Sequence, residues 1–407
     1  MKGYKGFDKG LVCSGKQYKE NMVFEEDEAV ICKKGMHFCV NPFDVLNHYS
    51  LVNSKGEFND FAEVEALDEC YTDDGKKYCT RKLKIGIKLP FGNFINACVD
   101  FILEKTSDDG CSSGDDARIG SSGYRARIGS SGDDARIGSS GDYAQIGSSG
   151  DYARIGSSGN GAQIGSSGDY AQIGSSGYRA RIGSSGDGAQ IGSSGDGAQI
   201  GSSGYGAQIG SSGDYAQIGS SGYGAQIGSS GDYARIGSSG YRARIGSSGD
   251  GAQIGSSGND AQIGSSGNGA QIGSSGNDAR IGSSGDYARI GSSGNGAQIG
   301  SSGDYAQIGS SGDYARIGSS GNDAQIGSSG NDARIKSEGE DSVVCCAGHG
   351  CIVSAKKGSW ITLAEWNYSC EKDRYVPTFV KAEYVDGERI KADTFYKLKN
   401  GEFVEVE

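Results

Sequence analysis

The sequence predicts a mainly β protein: a nine-residue-repeat parallel β-solenoid of about 18 residues per coil, with a small α+β domain before it and a small β segment after it. Three observations carry this. The unit x-x-Ala-Arg/Gln-Ile-Gly-Ser-Ser-Gly recurs without a gap from Asp115 to Ile335. Within it Ala and Ile never change, from Ala117 and Ile119 to Ala333 and Ile335. The 407 residues include 73 glycines and only 3 prolines, so a large conventional core is expected only outside the repeats.

Residues 1–92 read as the small α+β domain. "DFAEVEAL" and "CTRKLKIGIKL" alternate as strands do, and "NPFDVLNHY" reads as a short helix behind an Asn cap. Residues 93–110 follow as a helix and linker. In "NFINACVDFILEKT", Phe94, Ile95, Cys98, Phe101 and Ile102 fall at helical spacing, a stripe suited to covering the open end of a solenoid.

The array occupies 111–362 and decays after 335. Alternation along x-Ala-Arg-Ile-Gly puts Ala and Ile on one face of a short strand and Arg or Gln on the other. Ser-Ser-Gly followed by Asp, Asn or Tyr is turn chemistry, with its Gly free to take positive φ. One such strand cannot bury two apolar side chains alone, whereas stacked copies line Ala over Ala and Ile over Ile. Two units per coil suit a narrow Ala/Ile interior better than three. In the decayed part, Val344 and Val353 take the Ile slot, and Cys351 takes the Ala slot. Val343 and Ile352 take the formerly polar slot, an outward face expected to be covered by the C-terminal segment 363–407. That segment alternates and carries turn signals at Asp386-Gly387 and Asn400-Gly401.

A Gly/Ser linker would not hold an apolar pair in register, and a calcium β-roll would need a regular carboxylate where this array uses Asp, Asn, Tyr or Gly. No cofactor or metal is expected. The formal charge of −12 without a basic patch argues against nucleic acid, and no stretch is apolar enough for a membrane span. The start "MKGYKGFDKGLVCSGKQYKE" lacks an apolar run, so a cytoplasmic protein, and in one setting a virion-associated one, is expected, with its 11 cysteines as free thiols. Cys32, His37, Cys39 and His48, and likewise Cys345, Cys346, His349 and Cys351, match no strong metal-ligand spacing. No Ser/His/Asp triad, phosphate loop or carboxylate pair marks a catalytic site.

"KGF", "GMHFCVNPFDVLNHY", the "IGSSG" nonapeptides, "GSWITLAEW" and "DGERIKADTFYKLKNGEFVEVE" together resemble an uncharacterised family encoded in bacterial genomes and prophages. The resemblance implies a phage or mobile-element setting and no mechanism. Residues 35–49 are also similar to the G-x-x-F…Y stretch of ADP-ribosyltransferase-like folds, without an assignable His-Tyr-Glu set. The expected function is therefore a non-enzymatic rigid scaffold for a macromolecular partner, expected to be a protein. An ice-binding or surface-organising solenoid and a degenerate transferase are the alternatives. Because the array's slots one, two and four vary on a fixed frame, function is expected there. Tyr and Arg dominate binding hot spots, so the three "YRARI" units are the candidate contact residues: Tyr124, Arg125 and Arg127; Tyr178, Arg179 and Arg181; Tyr241, Arg242 and Arg244.

Overall fold

The computed structural model describes residues 1–31, 33–52, 58–105 and 114–406, with the backbone alone for residues 99, 100 and 102–105. Ile102 of the helical stripe and the thiols Cys32 and Cys111 thus lie outside the side chains described. The fold is mainly β, a parallel solenoid with a small N-terminal sheet domain and a C-terminal strand region. Its contacts form two compact units, one of Met1–Gly222 with Gln226–Ser230 and one of Tyr223–Ala225 with Gly231–Glu407.

In the first unit, nine strands and two helices precede the array. They are β1 (Lys2–Phe7), β2 (Val12–Cys13), β3 (Lys16–Gln17), β4 (Val23–Glu25), β5 (Met36–Cys39), α1 (Pro42–Val45), β6 (Asp60–Ala66), β7 (Cys70–Tyr71), β8 (Lys77–Thr80), β9 (Lys82–Leu89) and α2 (Phe91–Lys105). Seven form an antiparallel sheet ordered β4-β9-β6-β1-β5-β8-β7, and β2 and β3 form a hairpin. The period of two in β6 sends Phe61 to one face and Ala62 and Val64 to the other. One core gathers Phe7, Tyr18, Met36, Phe38, Leu83 and Ile85. The other packs Phe43, Leu46, Leu51 and Phe61 against Phe94, Ile95 and Cys98 of α2. The Asn cap forms as read: the Asn41 side chain accepts from the Phe43 amide at 3.1 Å, and Pro42 opens α1.

The array strands pair in parallel with the strand eighteen residues on. Arg118–Ser121 aligns with Arg136–Ser139, Ile119 against Ile137, while Arg127–Ser130 aligns with Gln145–Ser148. Each coil therefore holds two units, and strands alternate between a first series (118, 136, 154 and onward) and a second (127, 145, 163 and onward). Ala and Ile face inward, Ala144 and Ile137 both at 0 % exposure. The first Ser of Ser-Ser-Gly joins them, a row the sequence reading left outside the core. Ser139, Ser157 and Ser175 are fully buried, and their hydroxyls have no partner among the described residues.

The corner differs from the expectation. Positive φ falls on slot two, as in Arg125 (+58°), Tyr143 (+57°) and Gly161 (+64°), and not on the Gly of Ser-Ser-Gly. That Gly is needed for proximity, since a Cβ on Gly141 would lie 2.0 Å from the Gly123 carbonyl oxygen one coil earlier.

The helix α2 also departs from the expectation. It does not close the open end of the solenoid; its first turns lie across the outward face of the first series. A Cβ on Gly174 would meet Ile95 at 2.3 Å, and one on Gly192 would meet Phe91 at 2.8 Å. The apolar stripe instead fills the domain's own core, where Phe94 and Cys98 are fully buried. A sheet face bare of side chains at each Gly offers more contact than one thin coil end.

In the second unit the same register continues, for example Gln262 with Arg280 and Gln271 with Arg289. Val344 and Val353 fill the Ile slot at 0 % exposure, as read, and Cys351 is buried in the Ala slot. The C-terminal strands then extend the sheets edge to edge. Trp360–Ser369 pairs in parallel with Val343–Cys346 and antiparallel with Arg374–Tyr384, and Phe395–Lys399 pairs antiparallel with Ile352–Ser354 and Glu402–Val406. These strands pair with the backbone edges, so Val343 stays 52 % exposed, contrary to the expected cover, while Ile352 is half-buried. Asn400 and Gly401, both at positive φ, make the hairpin turn that the sequence signals.

Candidate functional site

The three variable slots have three different jobs. At slot one, Asp or Asn Oδ1 accepts the slot-one amide of the next coil: Asp133 N–H donates to Asp115 at 3.1 Å, Asn277 to Asn259 at 2.9 Å, and Asp313 to Asn295 at 2.9 Å. Where Asp or Asn fills the slot, the neutral amide serves as well as the carboxylate, so these residues act as acceptors and not as charges, while Tyr124, Tyr178 and Tyr241 occupy the same slot. Its variation is therefore constrained by structure, where the sequence reading placed it free on the surface. Slot two holds a left-handed residue, with side chains stacked on exposed ladders such as Tyr152 on Tyr170 (5.3 Å) and Tyr287 on Tyr305 (5.0 Å). Slot four points out of the sheet.

Slot four carries the clearest pattern. Along the second series it reads Arg127, Gln145, Gln163, Arg181, Gln199 and Gln217 in the first unit and Arg235, Gln253, Gln271, Arg289, Gln307 and Gln325 in the second. Every one of these side chains is exposed. Arg recurs at every third coil, about 14 Å apart at ~4.8 Å per strand, beyond the ~8 Å screening length of physiological salt. Stacked Arg neighbours would repel at roughly 1 kcal/mol per contact even in water. Arg follows Arg on consecutive coils only in the first series, at Arg118-Arg136-Arg154 and Arg316-Arg334.

The first run passes beneath α1 at Arg136 and Arg154, and Arg334 of the second meets a ring of the C-terminal strands, while Arg118, Arg316 and Arg334 remain exposed. Arg136 and Arg154 each donate to Asp44 Oδ1 of α1 at 3.1 Å, Arg154 also donates to Asn47, and Gln172 donates to the Leu46 carbonyl at 3.3 Å. Asp44 is 3 % exposed. Burial lowers the pKa of Arg136, and the Asp44 carboxylate opposes that shift. In the second unit the Arg334 guanidinium lies 3.9 Å above the Phe395 ring. A carboxylate compensates Arg136 and Arg154, and an aromatic face meets Arg334.

The "YRARI" residues are exposed as expected, Tyr124 at 64 %, Tyr178 at 49 % and Tyr241 at 38 %. In each unit the slot-two Arg stacks on its own Tyr, Arg125 on Tyr124 at 5.1 Å, Arg179 on Tyr178 at 4.9 Å and Arg242 on Tyr241 at 5.1 Å. Arg242 also donates to the Tyr223 hydroxyl at 3.1 Å. The structure brings two of the three units onto one sheet: Arg127 and Arg181 both belong to the second series, three coils apart. Tyr241 stands an odd number of nine-residue steps from Tyr124, so Arg244 belongs to the first series, in the second unit.

A second site was missed by the sequence reading. A cavity of about 660 Å³ in the N-terminal domain is lined by Lys5, Cys13, Tyr18, His37, Tyr49 and Lys77, among others. Lys5 is 3 % exposed, its ammonium donating to the His37 carbonyl at 2.8 Å and the Tyr49 hydroxyl at 3.3 Å. It sits 5.5 to 5.9 Å from the ring centroids of Phe7, Tyr49 and Tyr18. Burial is the largest effect on it and lowers its pKa. Burial likewise takes His37 down to about 4 and raises the phenols of Tyr18 and Tyr49. Cys13 Sγ lies 2.9 Å from the Tyr49 hydroxyl. The signal was present in "KGYKGF", where alternation in β1 turns Gly3, Lys5 and Phe7 to one face and a lysine stands in an apolar register.

Among the described residues no group of three His, Cys, Asp or Glu is arranged to hold a metal, and no helix is long and apolar enough to cross a membrane. The described cysteines, including Cys39, Cys345, Cys346 and Cys351, are free thiols. Cys346 and Cys351 share a hydrogen bond that lowers Cys351 and raises Cys346.

Residues 1–97 match the model of a domain of unknown function, DUF7666, which covers the sheet, α1 and the start of α2. No curated protein and no solved structure matches the chain.

Proposed function

We propose that the chain is a scaffold, in the phage or prophage setting its resemblance implies. Its N-terminal domain is fixed to one flank of the β-solenoid, and the opposite, second-series flank is the contact surface for a macromolecular partner. The array itself does no chemistry. The observation that carries the reading is the asymmetry of the first unit. Arg136 and Arg154 of the first series are buried on Asp44, while Arg127 and Arg181 of the second stand exposed, with Tyr124 and Tyr178 at their corners. Spaced Arg beside exposed Tyr is the composition of binding hot spots. The same projecting Arg rows weigh against a flat ice-binding plane.

The test places a photo-crosslinking residue at Gln163, midway between Arg127 and Arg181, in the full chain expressed in its producing cell. A discrete adduct that disappears when Arg127 and Arg181 are changed to Gln supports the reading. Absence of an adduct at 163, or an adduct indifferent to the two Arg changes, refutes it.

A further inference from the structure

We propose that the cavity around Lys5 binds a small carbonyl compound, an aldehyde or 2-oxo acid, as a Schiff base on the Lys5 amine. A buried ammonium is ordinarily matched by a carboxylate, because an unpaired charge loses hydration that neutral partners do not restore. The acceptors around Lys5 are a backbone carbonyl, a phenol and the Cys13 thiol, and no carboxylate is within ion-pair distance of it among the described residues. Of the three acidic residues lining the cavity, Glu26 pairs with Lys16 and Glu28 with Lys34, and Asp27 acts on Lys34 and forms no ion pair with Lys5. Burial outweighs the opposing effects of Cys13 and Cys39, Lys77 adds to it, and a desolvated amine is the usual starting point for a nucleophilic lysine.

The surroundings match the reaction. The lone pair of the neutral amine attacks the carbonyl carbon, a C–N bond forms, and the C=O π pair moves to oxygen, which gains a proton to give the carbinolamine. The nitrogen lone pair then expels that hydroxyl as water; both of the water's protons come from the amine nitrogen, one on forming the carbinolamine and one as the imine forms. Amine and carbonyl thus become imine and water, with no oxidant or reductant consumed. The Tyr49 hydroxyl, 3.3 Å from Lys5 Nζ, is placed to relay a proton from the nitrogen to the departing oxygen, giving up one proton as it takes up another. His37, neutral at pH 7, adds no competing positive charge. Gly6 leaves room for this arrangement, since a Cβ there would fall 2.5 Å from the Tyr49 ring.

The experiment treats the intact protein with glyoxylate and cyanoborohydride and maps reduced adducts by peptide mass spectrometry. Lys34, with a 67 % exposed side chain and a raised pKa, is the internal reference. The expected result is at least tenfold faster labelling of Lys5 than of Lys34 at pH 7, the ratio growing as pH falls from 9 to 7, and loss of the adduct on that peptide in Lys5→Met. Mapping the native protein needs no variant, so misfolding of Lys5→Met leaves the test intact. Labelling of Lys5 no faster than Lys34, or only after denaturation, would overturn the proposal and make Lys5 a structural cation.

Discussion

Changing Asp44 to Asn tests how the N-terminal domain is held. Asp44 is the shared anion of two guanidiniums whose side chains are 7 and 8 % exposed. Removing one partner of such a buried set costs about 3–5 kcal/mol, because the remaining charges stay desolvated. Asn keeps a carbonyl acceptor, so the lower end applies. A loss of about 3 kcal/mol raises the population of undocked domain on the order of 100-fold. Cys98 reports this: it is fully buried in the core beside Ile95, the residue that seats against Gly174. Its alkylation rate in the native protein should rise by that factor in Asp44→Asn. Adding Arg136→Gln and Arg154→Gln, the residue native to the next coil at Gln172, removes the stranded charges and should restore most of the protection. Wild-type alkylation in Asp44→Asn, or a triple variant as open as the single, would show that the apolar seat alone holds the domain.

The remaining predictions concern the corners and the acid limit. Tyr314 holds φ of +60° and has no stacked ring among the described residues, so Tyr314→Gly should stabilise by about 1 kcal/mol in denaturant melts. Tyr287→Gly loses its 5.0 Å stack on Tyr305 and should come out near neutral, stacking being worth about the same. Gly141→Ala should break the corner ladder and lower the melting temperature, while Gly147→Ala, whose Cβ meets nothing within 4 Å, should leave it unchanged. His37 is neutral in the fold with a pKa near 4 against an ordinary 6.5, and His48 shifts the same way. The His37 contribution is full above about pH 6.5 and drains as pH falls towards 4, since the unfolded chain binds the proton first, and His48 acts with the same sign. A His37→Gln variant should melt with a shallower slope across that window.

What was legible in the sequence follows from how often each signal repeats and how local it is. Ala and Ile recur in every unit, so their inward face and the two-unit coil could be read directly. The left-handed corner was misplaced because Gly occurs both in Ser-Ser-Gly and at slot two. The Gly and Asp at Gly161, Gly188 and Asp116 did mark slot two, but Tyr143 and Arg125, residues poorly suited to positive φ, concealed it. The buried Ser row was hidden for another reason: of two adjacent serines, only the exact strand end decides which one turns inward. Asp44 could not be matched to Arg136 and Arg154 from local pattern, lying 92 and 110 residues away. Yet once the coil is fixed at eighteen residues, the run Arg118-Arg136-Arg154 becomes an anomaly, since in-register stacking makes neighbouring like charges costly wherever the sheet is bare. Asp44 compensates the two buried members of that run, and in the second unit the Phe395 ring lies against Arg334 alone. Lys5 is the same kind of break, a charge in an apolar register between Gly3 and Phe7. In a chain this regular, the departures from pattern show where a tertiary partner or a ligand compensates for what local structure leaves unpaid.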